Sequence, residues 1–194
     1  MVLSLISYIV IPLYTLLFVR GTDWFSSNFS VISSLKEKEN AFALWGALVG
    51  CTLYRMLFPL IQSAPFSQYS SSRLCRPLSR RFCYLLLNLA FLFLIAAVIV
   101  PYLPSQFPIQ AGLHLFFAFF SAVFLFLCLL VLIYAYYMNR PAKYAPFLYA
   151  VWAAAAVSLV LLKAAGIVNT VLETFITISA CVLIRKLYRK VCGR

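Results

Sequence analysis

Six apolar runs divide this sequence, and each is close to the length of about 20 residues that a helix needs to cross a bilayer core. They fall at about 3–19, 41–62, 82–103, 111–138, 146–163 and 170–186. Continuous Leu, Phe, Ala and Val runs lack the alternation of a barrel strand, so helices must satisfy their backbone groups in lipid. The sequence therefore predicts an all-α polytopic integral membrane protein, a six-transmembrane-helix bundle that forms a single membrane domain over residues 1–194.

Composition supports the membrane class and limits the partners. Hydrophobic residues make up 65% of the chain and charged residues 10%, values typical of integral membrane proteins. A net charge of +12 would suggest nucleic acid in a soluble protein, but these cations flank apolar runs instead of forming one exposed surface. We therefore expect membrane lipids and no nucleic acid as partners, while assembly into a homo- or hetero-oligomer stays open. The first run lacks preceding cations and a cleavage pattern, so we expect it to be a retained anchor.

The distribution of Lys and Arg among the short connections predicts the orientation. Eleven cations lie in three connections that share one side of the membrane, whereas four lie on the other side. The eleven are Arg73, Arg76, Arg80, Arg81, Arg140, Lys143, Arg185, Lys186, Arg189, Lys190 and Arg194. The four are Arg20, Lys36, Lys38 and Lys163. Since cytoplasmic connections carry the excess of cations, we predict an N-in/C-in, multi-pass protein of the plasma (inner) membrane, with both termini cytoplasmic.

His114 and Glu173 form a candidate polar cluster on the outer side. Each lies near the outer end of its helix, and the two helices run in the same direction, so the side chains share a depth. Thr170, Thr174 and Thr177 extend Glu173 into one polar stripe, which is typical of a helix facing a bundle interior or a wet cavity. One interpretation is a pair that handles protons or binds headgroups; the other is a buried structural hydrogen bond that locks two helix ends, or an interfacial glutamate in water.

The outer loop GTDWFSSNFSVISS, residues 21–34, gives this cluster a candidate cover. If Asp23 and Trp24 fold back over the helix ends, the loop caps a cavity that holds His114 and Glu173. Alternatively, the aromatic residues form an interfacial belt and Asp23 caps a short interfacial helix.

Arg55 and Asn88 form a second candidate site, near the inner leaflet. Both lie within apolar runs, about 10 Å inside the inner boundary at about 1.5 Å per residue. Together they would contact an anionic lipid headgroup. The alternative is an arginine that snorkels to the interface and an asparagine that bonds a neighbouring helix.

Small residues predict close helix packing in two places. Gly46 and Gly50 form a G-x-x-x-G pattern in the second run, and the fifth run contains four consecutive alanines, 153–156. Because small side chains let helix backbones approach, we expect both helices to pack inside the bundle.

Several kinds of chemistry are excluded or weakly supported. A single histidine rules out a multi-histidine zinc or haem site within one chain, and no phosphate-binding glycine loop is present. We therefore predict no bound cofactor and no metal. His114 and Glu173 make only a candidate acid/base pair, so whether the protein is an enzyme stays open.

Three segments carry a resemblance to a known group of proteins. TDWFSSNFSVIS, VPYLPSQFPIQAGLHLFFAF and AGIVNTVLETFITIS together resemble bacterial six-span membrane proteins of unknown function, similar in layout to the Frag/DRAM group. The resemblance implies an N-in bundle with an outward cluster that corresponds here to Asp23, Asn28, His114 and Glu173. It implies no reaction, but an association with lipid remodelling or membrane trafficking.

Three functions follow in order of preference. The first is a lipid-associated membrane protein that binds or remodels lipid, and the second is a non-enzymatic structural or regulatory subunit. The third, a small secondary transporter, requires a polar path at the midplane and broken helices, whereas the midplane of runs three to five is almost entirely apolar.

Cysteine labelling tests the predicted orientation. In a cysteine-free background, we expect a cysteine at Ser27 or Lys163 to react with an impermeant thiol reagent on intact cells, because both positions face outward. A cysteine at Ser72 or Lys143 should react only after permeabilisation. Labelling of the Lys143 position on intact cells would contradict the N-in topology.

Overall fold

The computed structural model describes residues 2–66 and 80–193. Arg73, Arg76 and Arg194, which contribute to the predicted orientation, and the labelling position Ser72 lie outside the described residues. Within the described ranges all regular secondary structure is helical, which confirms the all-α class.

Seven helices follow one another along the described chain, and we number them α1 to α7. They are α1 Val2–Phe18, α2 Phe29–Ser33, α3 Glu39–Ser63, α4 Arg80–Ile99, α5 Pro108–Asn139, α6 Pro141–Ala165 and α7 Thr170–Cys192. The six long ones coincide with the six predicted runs, and α2 is a short additional helix in the outer loop.

Four of these helices, α3 to α6, are long and apolar enough to cross a membrane. Helix α1 is apolar but shorter. Helix α7 has 23 residues, but Glu173 near its start and several cations in its second half interrupt its apolar surface. Crossing by all six long helices therefore stays a prediction.

Prolines explain two local features. Helix α4 ends at Ile99, before the predicted 103, because the ring of Pro101 disfavours helical backbone at the preceding residue. Helix α1 contains a π-helical turn, Ile6–Val10, in which the N–H of Ile11 donates to the carbonyl of Ile6. Since Pro12 follows directly and cannot donate a backbone hydrogen bond, the wider turn accommodates it.

Helix α3 is the centre of the bundle. It packs against α1, α2, α4 and α7, and the other main contacts run from α1 to α7, α4 to α5, α5 to α6 and α6 to α7. The buried share of the apolar segment is 56% for α3 and 6% for α6. The prediction that the alanine-rich helix lies inside the bundle is wrong: α6 lies at the edge, and Ala153 and Ala156 are exposed.

The glycines of α3 do permit a close approach to α4. A Cβ added at Gly46 would lie 2.6 Å from Cγ2 of Val98, and one added at Gly50 would lie 2.9 Å from Cδ2 of Leu94. These distances are too short for ordinary contact. The packing of α3 on α4 therefore requires glycine, which has no Cβ, at both positions.

Replacing Gly46 tests this packing. We expect Gly46→Ala to lower the thermal stability of the purified protein in detergent, because the branched side chain of Val98 cannot move aside freely and overpacking typically costs about 1–3 kcal/mol. Gly112→Ala is the matched control, since an added Cβ there meets nothing within 4 Å. In that variant the higher helix propensity of alanine should leave stability unchanged or raised. Equal melting temperatures for both variants would contradict a tight α3–α4 contact.

Candidate functional site

Two helix starts meet at the end of the bundle that carries the outer loop. We call this the capping end; it consists of residues 19–39, which follow α1 and include α2, together with the end of α6 and the start of α7. The first turn of a helix has unpaired N–H groups, which need acceptors. At the capping end, the loop before α2 supplies acceptors to α7, and a side chain of α7 supplies an acceptor to α2.

The outer loop supplies acceptors to α7. The N–H of Thr170 donates to the carbonyl of Ser27 at 2.8 Å, and the N–H of Val171 donates to the carbonyl of Trp24 at 3.3 Å. The hydroxyl of Thr170 also donates to the Ser27 carbonyl, at 2.9 Å. The loop backbone therefore covers the start of α7.

Helix α7 in turn supplies an acceptor to α2. The Oε2 atom of Glu173 accepts a hydrogen bond of 2.5 Å from the N–H of Phe29, the first residue of α2. A carboxylate at this position is also favoured by the positive end of the helix dipole. We call this exchange of acceptors between α2 and α7 the reciprocal cap.

Two asparagines complete the reciprocal cap. Asn28 precedes α2, and its Oδ1 atom accepts from the N–H of Val31 at 2.9 Å. Asn169 precedes α7, and its Oδ1 atom accepts from the N–H of Leu172 at 3.0 Å. Asparagine is among the residues favoured at this position because its short side chain reaches back to the first turn.

His114 ties two further elements to this end. Its Nδ1 atom lies 2.7 Å from the carbonyl oxygen of Val100, just after α4, and its Nε2 atom lies 2.9 Å from the hydroxyl oxygen of Ser30 in α2. A carbonyl can only accept, so Nδ1 is the donor to Val100. With 1% of its surface exposed, the ring is a buried bridge between α4, α5 and α2.

His114 and Glu173 make no hydrogen bond or ion pair with each other; they bind successive residues of α2, Ser30 and Phe29. Of the two sequence interpretations, this geometry matches the one in which polar groups lock helix ends. Both ring nitrogens of the histidine and one oxygen of the carboxylate are engaged by the loop and its neighbours.

The buried aromatic residue of the outer loop is Phe29. It is 4% exposed, and its ring packs edge-on against Phe18 and Trp45, with centroid distances of 5.5 and 5.0 Å. The side chain of Trp24 is 36% exposed. Trp24 contributes its backbone carbonyl to the cap, so the ring that closes this end belongs to Phe29, which the sequence analysis grouped with the other aromatic residues of the loop.

Asp23 has a local role. Its Oδ1 atom accepts from the N–H of Phe25 at 2.9 Å, and this hydrogen bond lowers the pKa of the carboxyl group. Its backbone carbonyl accepts from the hydroxyl of Ser27. The alternative in which Asp23 caps a short helix names the wrong residue, because the N-cap of α2 is Asn28.

Arg55 lies on α3 and Asn88 on α4. Both side chains are exposed on the bundle surface. The Oδ1 atom of Asn88 accepts from the hydroxyl of Tyr54 at 3.0 Å, which matches the interpretation that the asparagine bonds a neighbouring helix.

Sequence reasoning missed an open groove at the opposite end of the bundle. It has a volume of 540 Å³ and is lined by Tyr8, Phe147, Lys186, Arg189 and Lys190; we call it the basic pocket. The three cations lie at spacings of three and four residues along α7, so they share one face. The available signal was this spacing within RKLYRK, which the sequence analysis treated only as an orientation signal.

No group of three or more metal-ligating side chains occurs among residues 2–66 and 80–193. No protein-family model matches the chain, and no curated protein or solved structure compared with it gives a significant match. The resemblance to the Frag/DRAM group therefore stays a prediction.

Replacements of Glu173 separate a structural acceptor from an acid/base group. We expect Glu173→Gln to keep nearly full thermal stability in detergent, because the amide oxygen still accepts from Phe29. Glu173→Ala should lose about 1–3 kcal/mol, since a partly buried N–H is left unpaired. Glu37→Ala, which removes an exposed acid in the same loop region, is the control and should have little effect. If Gln and Ala were equally damaging, Glu173 would not act as the acceptor of the reciprocal cap.

Proposed function

We propose that this protein is a lipid-associated, six-span membrane protein that binds anionic phospholipids at the end of the bundle carrying the basic pocket. One observation carries the proposal: three cations of α7 and two aromatic rings line one open groove of 540 Å³. A phospholipid needs both kinds of lining, because its phosphate attracts cations and the rest of the molecule favours apolar contact.

The charges of the whole chain support this assignment. Its four acids are Asp23, Glu37, Glu39 and Glu173. Three lie in the outer loop region and the fourth belongs to the reciprocal cap, so no acidic side chain competes for the cations of the basic pocket. In this proposal the basic end faces the cytoplasm, where anionic headgroups concentrate near juxtamembrane cations.

The capping end supports a non-enzymatic role. An acid/base pair needs groups that are free to exchange protons with a substrate, whereas His114 and Glu173 hold α2 in place through Ser30 and Phe29. We therefore assign the outer cluster to the architecture of the bundle and the ligand to the opposite end.

A second candidate, a structural or regulatory subunit, is favoured by one observation on α6. This helix exposes large apolar side chains over its length, among them Tyr149 at 69%, Trp152 at 54%, Leu159 at 66% and Val160 at 67%. Bilayer lipid would cover such a surface, and so would another membrane protein. Crosslinking through α6 in native membranes distinguishes the two, since only a subunit gives a defined product.

Lipid retention tests the proposed function. Native mass spectrometry of the purified protein should show that phosphatidylglycerol is retained more strongly than phosphatidylcholine, because only the former carries net negative charge. The triple variant Lys186→Gln, Arg189→Gln, Lys190→Gln should lose most of this preference.

The control variant Arg20→Gln, Lys36→Gln, Lys163→Gln removes the same amount of charge from the capping end. It should keep the preference of the original protein. Equal retention of the two lipids, or equal loss in both triple variants, would contradict a specific basic pocket.

A further inference from the structure

Arg185 is a buried cation near the basic pocket. It is 2% exposed, and its Nε and Nη2 atoms donate to the hydroxyl of Ser4 at 3.1 and 2.6 Å. The guanidinium carbon lies 5.4 Å from the ring centroid of Tyr188. Its third nitrogen, Nη1, is buried and has no hydrogen-bond partner.

No acidic side chain neutralises this guanidinium. The carboxylate on the same helix, Glu173, lies 12 residues before Arg185, which corresponds to about 18 Å along a helix. The other three acids lie at the capping end. The Ser4 hydroxyl and the Tyr188 ring carry no charge, and burial of an unpaired cation is costly. The Arg185 guanidinium therefore has both an unpaired N–H and an unneutralised charge, and both favour the binding of an anion.

The basic pocket lies one helical turn from Arg185. Arg189 lines the pocket and follows Arg185 by four residues on α7, while Tyr8 lines it and follows Ser4 by four residues on α1. Residues four apart share a helix face, so the Ser4–Arg185 contact continues the same α1–α7 seam. Arg189 and Lys190 are exposed and Arg185 is buried, which places Arg185 deeper along the seam.

We propose that Arg185 recognises a phosphomonoester group, and that the ligand of the basic pocket is therefore a lipid with an unsubstituted terminal phosphate. This inference rests on the proposed lipid-binding function of the pocket and adds the chemical class of the headgroup. A monoester has three free oxygens and a charge of about −1.5 to −2 near neutral pH. The planar guanidinium of arginine suits such a group, because its N–H groups donate hydrogen bonds to phosphate oxygens.

The depth and charge of Arg185 favour a small, strongly charged headgroup in this proposal. A phosphodiester has a second substituent in place of one free oxygen, and it carries one negative charge. Arg185 does not itself line the basic pocket, so in this proposal the ligand displaces the cover of Arg185 and its terminal phosphate reaches one turn beyond Arg189, while the exposed cations bind its remaining oxygens. A water molecule would satisfy the N–H but would leave the charge unpaired.

The test compares three lipids on the full-length protein in detergent by native mass spectrometry. We expect phosphatidic acid to be retained about 10- to 100-fold more strongly than phosphatidylglycerol, the range expected for one or two charge-assisted hydrogen bonds. Phosphatidylcholine should be weakest. Arg185→Met should remove the preference for phosphatidic acid over phosphatidylglycerol and keep the preference of both over phosphatidylcholine.

Stability without lipid provides a second readout. Methionine fills a similar buried volume without charge, so Arg185→Met should melt at the same or a higher temperature than the original protein in lipid-free detergent. A merely structural arginine would give a lower melting temperature. Arg20→Met, at an exposed arginine of the capping end, should change neither readout. If Arg185→Met does not fold, Arg185→Lys keeps the charge but not the fork and should also lose the preference.

The outcomes separate this inference from the proposed function. If phosphatidic acid and phosphatidylglycerol bind equally but better than phosphatidylcholine, or if Arg185→Met keeps the phosphatidic acid preference, the role of Arg185 is overturned and the lipid-binding pocket stands. If neither anionic lipid exceeds phosphatidylcholine, both proposals fail.

Inorganic phosphate identifies the source of the monoester. Displacement of phosphatidic acid by millimolar inorganic phosphate, with a higher melting temperature in lipid-free detergent, would show that Arg185 binds the free ion. Retention of phosphatidic acid under these conditions would assign the site to the lipid. Both results support phosphomonoester recognition, and they differ only in what carries the phosphate.

Discussion

The reciprocal cap between α2 and α7 is the interaction on which the capping end depends. Unpaired backbone N–H groups are costly where they are buried away from water. The chain solves this for two helix starts at once: loop carbonyls of Trp24 and Ser27 cover α7, and the Glu173 carboxylate covers α2. His114 extends the arrangement to the end of α4 through Val100. Loss of either helix start would expose the polar groups of the other.

The two ends of α7 have opposite chemistry. Its first turn carries Glu173 and its last turn carries Arg189 and Lys190, which is the distribution that the helix dipole favours. At the start, the acid is engaged within the protein. At the finish, the cations have no acidic partners in the chain, and Arg185 is buried in the same condition. The structure therefore uses its scarce negative charge for architecture and leaves the positive end available for an anion from outside.

A pattern of small residues predicted close packing correctly only where a neighbouring helix has side chains that fit against it. Gly46 and Gly50 face the branched and aromatic side chains of α4 at distances that exclude a Cβ. The alanine run of α6 has the same small size but is exposed at Ala153 and Ala156, because the main contacts of α6 are with α5 and α7. Arg55 and Asn88 share a depth in sequence terms, yet Asn88 bonds Tyr54. Depth along a helix is readable from residue spacing, whereas the direction that a residue faces depends on its neighbours.

Hydropathy alone was enough to locate the helices, because a run of apolar residues can satisfy its backbone in lipid only as a helix. Proline positions shifted a boundary and widened a turn, and the residue types that cap helices were already visible at Asn28 and Asn169. The tertiary structure decided which groups meet. It placed Phe29 rather than Trp24 in the aromatic core, and it joined His114 to Ser30 and Glu173 to Phe29. It also brought Ser4 to Arg185 across almost the whole chain, since contacts between distant segments depend on how helices rotate and pack, which no local pattern encodes.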